Sequence, residues 1–165
     1  MDNVKLIPLN HGYVAICDLA DYDLLSEFNW YAFHEGRTPT MYVHGRRPGS
    51  RKLYSMHAVV MPGFKKLDHV NRNGLDNRRA NLRPCNSSQN RANSKLNKNN
   101  KSGYRGVTAW KGTYDHIVYK AEVRGNGALH YLGYFPDPIS AAKARDKKAL
   151  ELFGSFAVLN FPEAA

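Results

Sequence analysis

Short runs of alternating apolar and polar residues occupy the first third of the chain. Residues 4–17 predict two short strands around a polar turn, since apolar positions alternate in the second run. A short helix through Leu24 and Leu25 is predicted next, with Asp18 or Asp21 as its N-cap. This region shows no catalytic pattern of its own.

The same third continues with a predicted break at Glu35–Pro39 and a strand around Met41–His44. A short helix follows over Ser55–Met61, and the residues Pro62 and Gly63 end it. We therefore expect a small α+β lobe that packs on the segment after it.

Residues 67–93 change to a pattern of strand, polar loop, strand and helix. Leu67–Val70 predicts a short strand, and Asn81–Cys85 predicts the return strand after a loop dense in Asn and Gly. A helix over Ser87–Asn93 follows, with Asn86 or the next residue as its N-cap.

The last third predicts three antiparallel strands followed by one helix. Turns are expected at Lys111–Asp115 and Gly125–Ala128. Asp137 and Pro138 open the helix as N-cap and first helical residue, and Gly154 ends it. Alanines along the helix permit close packing on the sheet, and the tail lies back as an extended segment. The predicted fold class is α+β.

Basic charge is concentrated in the middle of the chain. Residues 65–111 carry twelve Lys or Arg against two Asp, whereas acidic and basic residues are equal in number on either side. A solvated surface is the plain explanation of a basic run. This run also contains predicted strands and a helix, so it favours a polyanionic partner, most simply nucleic acid.

Cysteine spacing and hydropathy exclude several classes of protein. Cys17 and Cys85 lie far apart and form no CxxC pair, which excludes a disulfide framework and a zinc knuckle. No apolar run approaches membrane-spanning length, and a signal-peptide pattern is missing. We expect a cytoplasmic protein with no membrane and no small-molecule cofactor, as a monomer or homodimer.

An Asp-His pair lies inside the basic segment. Asp68 precedes His69 directly, Asn81 follows twelve residues later, and Asn90 nine residues after that. Asp and Asn oxygens suit Mg²⁺ or Mn²⁺, and a neutral imidazole can accept a proton from water near neutral pH. Alone, an Asp-His dipeptide is more often a surface turn. The two Asn at these spacings favour a metal-dependent nuclease.

Residues 56–93 resemble the HNH nuclease motif, or ββα-metal finger, and especially its homing-endonuclease branch, through the strings DH, NRRANLR and SSQN. The resemblance implies that Asp68 and Asn90 bind a single Mg²⁺ or Mn²⁺. It also implies that His69 is the general base and that Asn81 braces the loop that aims it.

Four further residues of this segment are candidates with open roles. His57 is expected beside the phosphate, behind the site, or as a partner of a backbone group. Arg78, Arg79 and Arg83 either contact phosphate or form ion pairs. We favour a phosphate contact for at least one of them, because few acidic residues lie nearby.

Residues 102–162 resemble the plant AP-two/ethylene-response-factor DNA-binding domain, through YRGV, AEVR, YLGYF and AVLNFP. In that family the three-stranded sheet enters the major groove. The resemblance, together with placement for the Trp and the Lys, gives these DNA contacts: Arg105, Trp110, Lys120, Glu122, Arg124 and Tyr131. Thr108 and Ala109 stand where the family usually has Arg, and Arg145 replaces the helix aromatic. We therefore expect the fold without the family's base preference.

These predictions divide the chain into a nuclease domain over 1–93, a basic linker over 94–101 and a DNA-binding domain over 102–162. In the linker, three lysines are expected along the phosphates of double-stranded DNA: Lys95, Lys98 and Lys101. We expect hydrolysis to a 5′-phosphate and a 3′-hydroxyl. One site cuts one strand, so a double-strand break needs a second site.

Two other functions compete with this hypothesis. A DNA-binding regulator with an inactive HNH scaffold is favoured by the last third alone. An RNA-binding module is disfavoured, because the predicted sheet lacks an aromatic pair on adjacent strands. The target sequence, the preferred metal and the biological role stay open, and a phage origin rests on analogy.

Overall fold

The computed structural model describes residues 3–34, 40–96, 99–111 and 116–162. The chain forms two compact units, Met1–Cys85 and Asn86–Ala165. Small antiparallel sheets and a few helices make up both units, in agreement with the predicted α+β class. The predicted break at Glu35–Pro39 lies outside the described residues, as do residues 112–115 of a predicted turn.

The first unit consists of three small sheets and two helices across its described residues. Its elements are β1 (Val4–Pro8), β2 (Val14–Asp18), α1 (Tyr22–Ser26), β3 (Asn29–His34), β4 (Met41–Arg46), β5 (Tyr54–Ser55), α2 (Met56–Val60), β6 (Leu67–His69) and β7 (Leu82–Pro84). The antiparallel sheets are β1–β2, β3–β4–β5 and β6–β7. The predicted strands and the helix over Ser55–Met61 are confirmed to within two residues at each end.

One hydrophobic core joins the elements of this unit. Its buried side chains are Ala15, Cys17, Leu25, Val43, Met56, Val60 and Leu82. They come from β2, α1, β4, α2 and β7, so the core ties the beginning of the unit to its end. Full burial of a side chain such as Leu25 or Met56 stabilises the fold by about 1.5–3 kcal/mol.

The predicted cap of α1 is wrong. Asp21 stands at the N-cap position, but its side chain accepts no hydrogen bond from the helix backbone. Its carboxylate instead accepts bonds of 2.9 and 2.6 Å from Nε and Nη2 of Arg79. Asp18 Oδ2 accepts a 2.7 Å bond from the backbone N–H of Arg79. A guanidinium 58 residues away from Asp21 therefore displaces the local cap.

The second unit places one sheet on one long helix. Its elements are α3 (Ser87–Ala92), β8 (Val107–Lys111), β9 (Ile117–Gly125), β10 (Ala128–Phe135) and α4 (Pro138–Phe153), and the antiparallel sheet has the order β10–β9–β8. Asn86 caps α3 in a capping box with Gln89, through bonds of 2.9 and 2.8 Å. Asp137 caps α4 through a 2.8 Å bond from Ser140 N. Both predicted caps, and the end of α4 at Gly154, are confirmed.

Small side chains of α4 pack on one face of this sheet. The buried residues are Ala92, Val107, Ala121, Val123, Ala141, Ala142, Ala149 and Phe153. Four partly buried apolar residues pack around them, namely Tyr104, Leu132, Phe135 and Leu152. The expected close approach of an alanine-rich helix to the sheet is therefore confirmed.

Arg145 gives α4 a buried polar anchor. Its side chain is buried beside Asp146, and its Nη1 donates to Asp146 Oδ1 at 3.1 Å and to Val158 O at 2.6 Å. Asp146 Oδ2 in turn accepts from the backbone of Asn160 at 2.6 Å and of Phe161 at 3.0 Å. Burial lowers the pKa of Arg145, and Asp146 opposes that effect. This network holds the extended tail on the helix.

The boundary between the units differs from the predicted domain division. α3 groups with the second unit, whereas the sequence places it in the nuclease segment 1–93. The functional assignment of 1–93, 94–101 and 102–162 stays a prediction. Within the described parts of the chain, no helix is long and apolar enough to span a membrane.

Candidate active site and nucleic-acid surface

A buried Asp-His pair ends the short strand β6. Asp68 and His69 are each 5% exposed. In the antiparallel register, Asp68 lies opposite Arg83 and His69 opposite Leu82. Nε and Nη2 of Arg83 lie 3.0 and 2.9 Å from Asp68 Oδ2, so the carboxylate is ion-paired across the two strands.

Aromatic and amide side chains surround the His69 imidazole. Its Nε2 lies 3.3 Å from Asn77 Oδ1, and Asn77 Nδ2 donates to Gly74 O at 3.4 Å. With the amide in this orientation, a neutral His69 donates from Nε2 and keeps its lone pair on Nδ1. The rings of His57 and Tyr42 lie 5.4 and 5.9 Å from it, centre to centre.

Both histidines of this site are held in the neutral form at neutral pH. Burial lowers the pKa of His69, and the hydrogen bond to Asn77 and the charges of Asp68 and Asp76 oppose this effect. Burial, followed by the charges of His69 and His44, lowers the pKa of His57 to about 4. A neutral imidazole is the form that can accept a proton from water.

Asn81 spans the polar loop that follows His69. Its Oδ1 accepts from the backbone N–H of Asn71 at 2.9 Å, and its Nδ2 donates to Asp76 O at 2.7 Å. It is 7% exposed, and buried amides of this kind need such partners. The contacts join both ends of the loop, which is the geometry expected of a brace; the catalytic role of Asn81 stays a prediction.

Strand β2 supports the loop from the beginning of the chain. Ile16 N donates to Leu75 O, and Asn77 N donates to Ile16 O, both at 2.8 Å. Asn77, whose side chain meets His69, is thereby fixed by a residue far away in sequence. The sequence did not assign roles to Ile16 or Asn77, because no local spacing signals a single parallel bridge between a strand and a loop. Gly74 is required here, since a Cβ would collide with Met41 O.

Carboxylates neutralise the three arginines that are predicted phosphate contacts in this segment. Arg78 binds Asp76 through two bonds of 2.8 and 2.7 Å, and the guanidinium lowers the pKa of that carboxyl. Arg79 binds Asp21 and Arg83 binds Asp68, as described above. The premise that few acidic residues lie nearby is therefore wrong, because Asp21 reaches Arg79 from another part of the chain. Phosphate contact by these arginines stays a prediction.

The chemistry of the Asp68 side chain fits a hard divalent cation. Mg²⁺ is often bound by one or two carboxylates together with water and substrate oxygens. Among the described residues, no group of three or more His, Cys, Asp or Glu side chains is placed to hold a metal ion. A cation at Asp68 would therefore rely on amide, water or substrate oxygens as well. Asn90 is exposed on α3 in the second unit, and its role as a ligand stays a prediction.

The second unit exposes one face of its sheet, opposite the face that α4 covers. Residues that lie directly opposite each other on neighbouring strands share a face of the sheet. Along β9, the buried residues Ala121 and Val123 alternate with residues that point to the open face. Five predicted DNA contacts lie on this open face: Trp110, Lys120, Glu122, Arg124 and Tyr131.

Aromatic rings form a cluster on this open face. Trp110 of β8 lies 5.4 Å from Tyr134 of β10, and Tyr134 lies 5.8 Å from Tyr131, centre to centre. All three are about half exposed. Lys120 pairs with Glu122 at 2.9 Å between them. Sequence reasoning missed Tyr134 because residues three positions apart normally lie on opposite faces of a strand. A bulge between Tyr131 and Gly133 brings Tyr134 to the same face as Tyr131.

The remaining predicted contacts lie elsewhere. Arg105 precedes the sheet, its Nη2 donates to Ser94 O at 2.5 Å, and its backbone N–H donates to Asn160 at 2.7 Å. These bonds give Arg105 a role in holding the chain ends of the unit together. Lys95 and Lys101 are exposed, and Lys98 lies outside the described residues.

The chain is 31% identical over 156 residues to an uncharacterized HNH endonuclease of Acanthamoeba polyphaga mimivirus. The similarity covers 94% of this chain and 79% of that protein, so it includes residues of both units. No family model matches the chain, and no solved structure matches it. On the strength of this similarity, the chain belongs to the HNH endonuclease family.

Proposed function

We propose that the protein is a divalent-metal-dependent DNA endonuclease of the homing type, which hydrolyses a phosphodiester to a 5′-phosphate and a 3′-hydroxyl. A family name of this kind implies a nucleic-acid substrate. The observation that carries the proposal is the buried His69, which directly follows the buried Asp68 in the strand and whose pKa is lowered by burial. This pair supplies a proton acceptor and an oxygen ligand at adjacent positions.

His69 would accept the proton of the attacking water at Nδ1. Asn77 holds the opposite nitrogen of the ring, at 3.3 Å, and so orients it. Asn81 would keep the loop that carries Asn77 in place through its bonds to Asn71 and Asp76. Positioned proton transfer of this kind contributes roughly 10²–10⁴-fold to a reaction rate.

Asp68 is the residue proposed to hold Mg²⁺ or Mn²⁺, with Asn90 as the predicted second ligand. When bound, the cation would supply Lewis-acid stabilisation of charge on phosphate oxygens. Two nitrogens of Arg83 lie next to Asp68 Oδ2, so Arg83 would set the orientation of the carboxylate and compensate its buried charge.

The second unit is proposed as the duplex-binding module, in the manner of the AP-two/ethylene-response-factor domain. Its open face combines exposed aromatic rings with the cations of Lys120 and Arg124. Phosphate contacts provide affinity and register, while contacts to base edges provide specificity. A single active site of this kind would nick one strand, so a double-strand break would require two protein molecules or two sites.

The test is conversion of supercoiled plasmid in Mg²⁺, in Mn²⁺ and in chelator, beside the variant His69→Ala. We expect open-circular product that depends on the metal and that the variant does not form. Linear product would indicate paired sites. Cleavage by His69→Ala at the wild-type rate would contradict the role of His69, and cleavage in chelator would contradict metal dependence.

The ion pair between Asp68 and Arg83 favours a second candidate, a DNA-binding regulator with an inactive nuclease scaffold. A carboxylate already compensated by a guanidinium has less need of a cation. This regulator would bind duplex DNA with strong salt dependence and would leave supercoiled plasmid uncut in either metal.

A further inference from the structure

A polar cleft of about 440 Å³ lies at the hairpin end of the second unit. Its lining residues are Asn86, Ser87, Ser88, Arg91, Arg124, Gly125, Asn126 and Gly127. Two arginines thus face one cleft, and no Asp or Glu is among its lining residues. Such a lining, with hydroxyl, amide and guanidinium groups, suits an anion that carries several oxygen acceptors.

The frame of this cleft is fixed by the turn between β9 and β10. Asn126 and Gly127 both have positive φ, 51° and 81°, and the flanking residues Gly125 and Ala128 pair directly. An Asn-Gly pair with this backbone is typical of a tight type I′ hairpin. The backbone N–H of Asn126 donates to Ser88 Oγ at 2.9 Å, which ties the turn to α3. The turn and its bond to α3 thus define the backbone frame of the cleft.

Both arginines that line the cleft lack a compensating carboxylate within the described residues. Arg91 and Arg124 are both exposed, and neither side chain has an ion-pair or hydrogen-bond partner within the described part of the chain. Arg78, Arg79 and Arg83 are all paired with carboxylates. Two unpaired arginines that face the same cavity repel each other, so an anion between them relieves that repulsion.

We propose that this cleft binds a phosphodiester group of the nucleic-acid backbone between Arg91 and Arg124. Arg124 is the last cation of the open face along β9, so the cleft extends the surface of Trp110, Lys120 and Tyr131 past the edge of the sheet. The planar guanidinium matches phosphate with two parallel hydrogen bonds. The inference rests on the proposed function only in taking the substrate to be nucleic acid.

The experiment measures binding of a short fluorescein-labelled DNA duplex to the full chain by anisotropy, in chelator, between about 50 and 200 mM salt. Arg91→Gln and Arg124→Gln should each weaken binding by about tenfold, the effect of a lost charge-assisted hydrogen bond. Each should also lower the slope of log affinity against log salt by about one. The double variant should lose less than the product of the two single effects, because both side chains hold one group.

Lys147→Gln is the matched control, since it removes one exposed positive charge from α4 in the same unit. Arg91→Lys keeps the charge and should recover part of the affinity. Thermal unfolding of each variant confirms that the fold is retained. If Arg91→Gln and Arg124→Gln bind duplex as Lys147→Gln does, or if their salt slopes equal that of the unaltered protein, the proposal is wrong.

Inorganic phosphate at constant ionic strength is the second probe. We expect it to compete weakly with duplex binding to the unaltered protein and not with binding to the double variant. If Arg91→Gln abolishes phosphate binding but leaves duplex binding unchanged, the cleft is a small-anion site and the proposal is overturned. Duplex binding is measured in chelator, so the binding result holds even if the protein does not cleave plasmid. If the protein cleaves plasmid but Arg91→Gln binds duplex normally, only the proposal for the cleft is wrong.

Discussion

Two sets of arginines, one in each unit, have opposite surroundings. In the first unit, Arg78, Arg79 and Arg83 each meet a buried carboxylate at 2.6–2.9 Å. In the second unit, Arg91 and Arg124 face a cleft lined by no acidic residue. Positive charge along the sequence therefore does not predict which side chain binds a polyanion. It also matters whether a carboxylate already compensates the guanidinium, as Asp76 does for Arg78 from two residues away and Asp21 does for Arg79 from 58 residues away.

The candidate catalytic site and the candidate binding surface differ in the same way. The candidate site of the first unit is buried and held by internal hydrogen bonds, whereas the candidate surface of the second unit exposes rings and cations. We expect substitutions in the first unit to change rate or stability and those in the second unit to change affinity. The predictions below test that division, from the largest expected effect to the smallest.

His69→Ala and Arg124→Gln should have opposite phenotypes. His69→Ala should lower the cleavage rate by roughly 10²–10⁴-fold, because the general base is lost, with duplex affinity unchanged. Arg124→Gln should lower affinity while the single-turnover rate at saturating protein stays the same. Plasmid cleavage and anisotropy measure the two quantities. If His69→Ala weakens binding as much as cleavage, the division between the units fails.

Acid should destabilise the first unit through its histidines. The pKa of His57 is about 4 in the folded chain, below its ordinary value of 6.5. The unfolded chain therefore binds the proton more strongly, so stability is present above pH 6.5 and is lost as pH falls from there toward 4. The loss for His57 is on the order of 3 kcal/mol. His57→Gln should flatten the pH dependence of urea unfolding, and an unchanged slope would contradict this assignment.

Arg79→Ala and Arg91→Ala compare a paired with an unpaired arginine directly. Arg79→Ala leaves the buried Asp21 carboxylate without its guanidinium, which should cost about 1–3 kcal/mol. Arg91→Ala removes no internal partner among the described residues and should cost less than about 0.5 kcal/mol. Urea midpoints measure both. Equal destabilisation would show that Arg91 has a structural role as well.

Trp110→Ala should weaken duplex binding about fivefold, close to 1 kcal/mol of lost apolar contact. The slope of log affinity against log salt should be the same for Trp110→Ala as for the unaltered protein, because an indole ring releases no counterions from DNA. Ile139→Ala on α4 is the control, because Ile139 is also a large exposed apolar residue. A much larger loss for single-stranded than for duplex nucleic acid would instead favour stacking of unpaired bases on Trp110 and Tyr134.

Sequence reasoning succeeded where the signal is local. The β6–β7 pair, the Asn86 and Asp137 caps and the end of α4 at Gly154 all follow from residues within a few positions of each other. The positions of Trp110, Lys120 and Arg124 on one sheet face follow from the period of two along a strand.

Sequence reasoning failed where a side chain binds a residue that is distant in the sequence. The residues around Asp21 predict that it caps a helix, yet its carboxylate binds Arg79, which lies 58 residues further along the chain. Arg145 departs from the aromatic residue that the resemblance predicts, yet its bond to Val158 O, 13 residues further on, helps to make it a buried anchor. The choice among competing partners depends on tertiary packing, which no local pattern contains.

The bridge from Ile16 to the loop at Leu75 and Asn77 makes the candidate site depend on the folding of the whole first unit. Contacts between residues this far apart form slowly, because a long chain segment must first be closed into a loop. Asn77 reaches its position beside His69 only once the first hairpin has docked. We therefore expect the candidate site of a growing chain to stay incomplete until the whole first unit is folded. For the same reason, a peptide cut to residues 67–93 would keep the motif and lose the support on which its geometry depends.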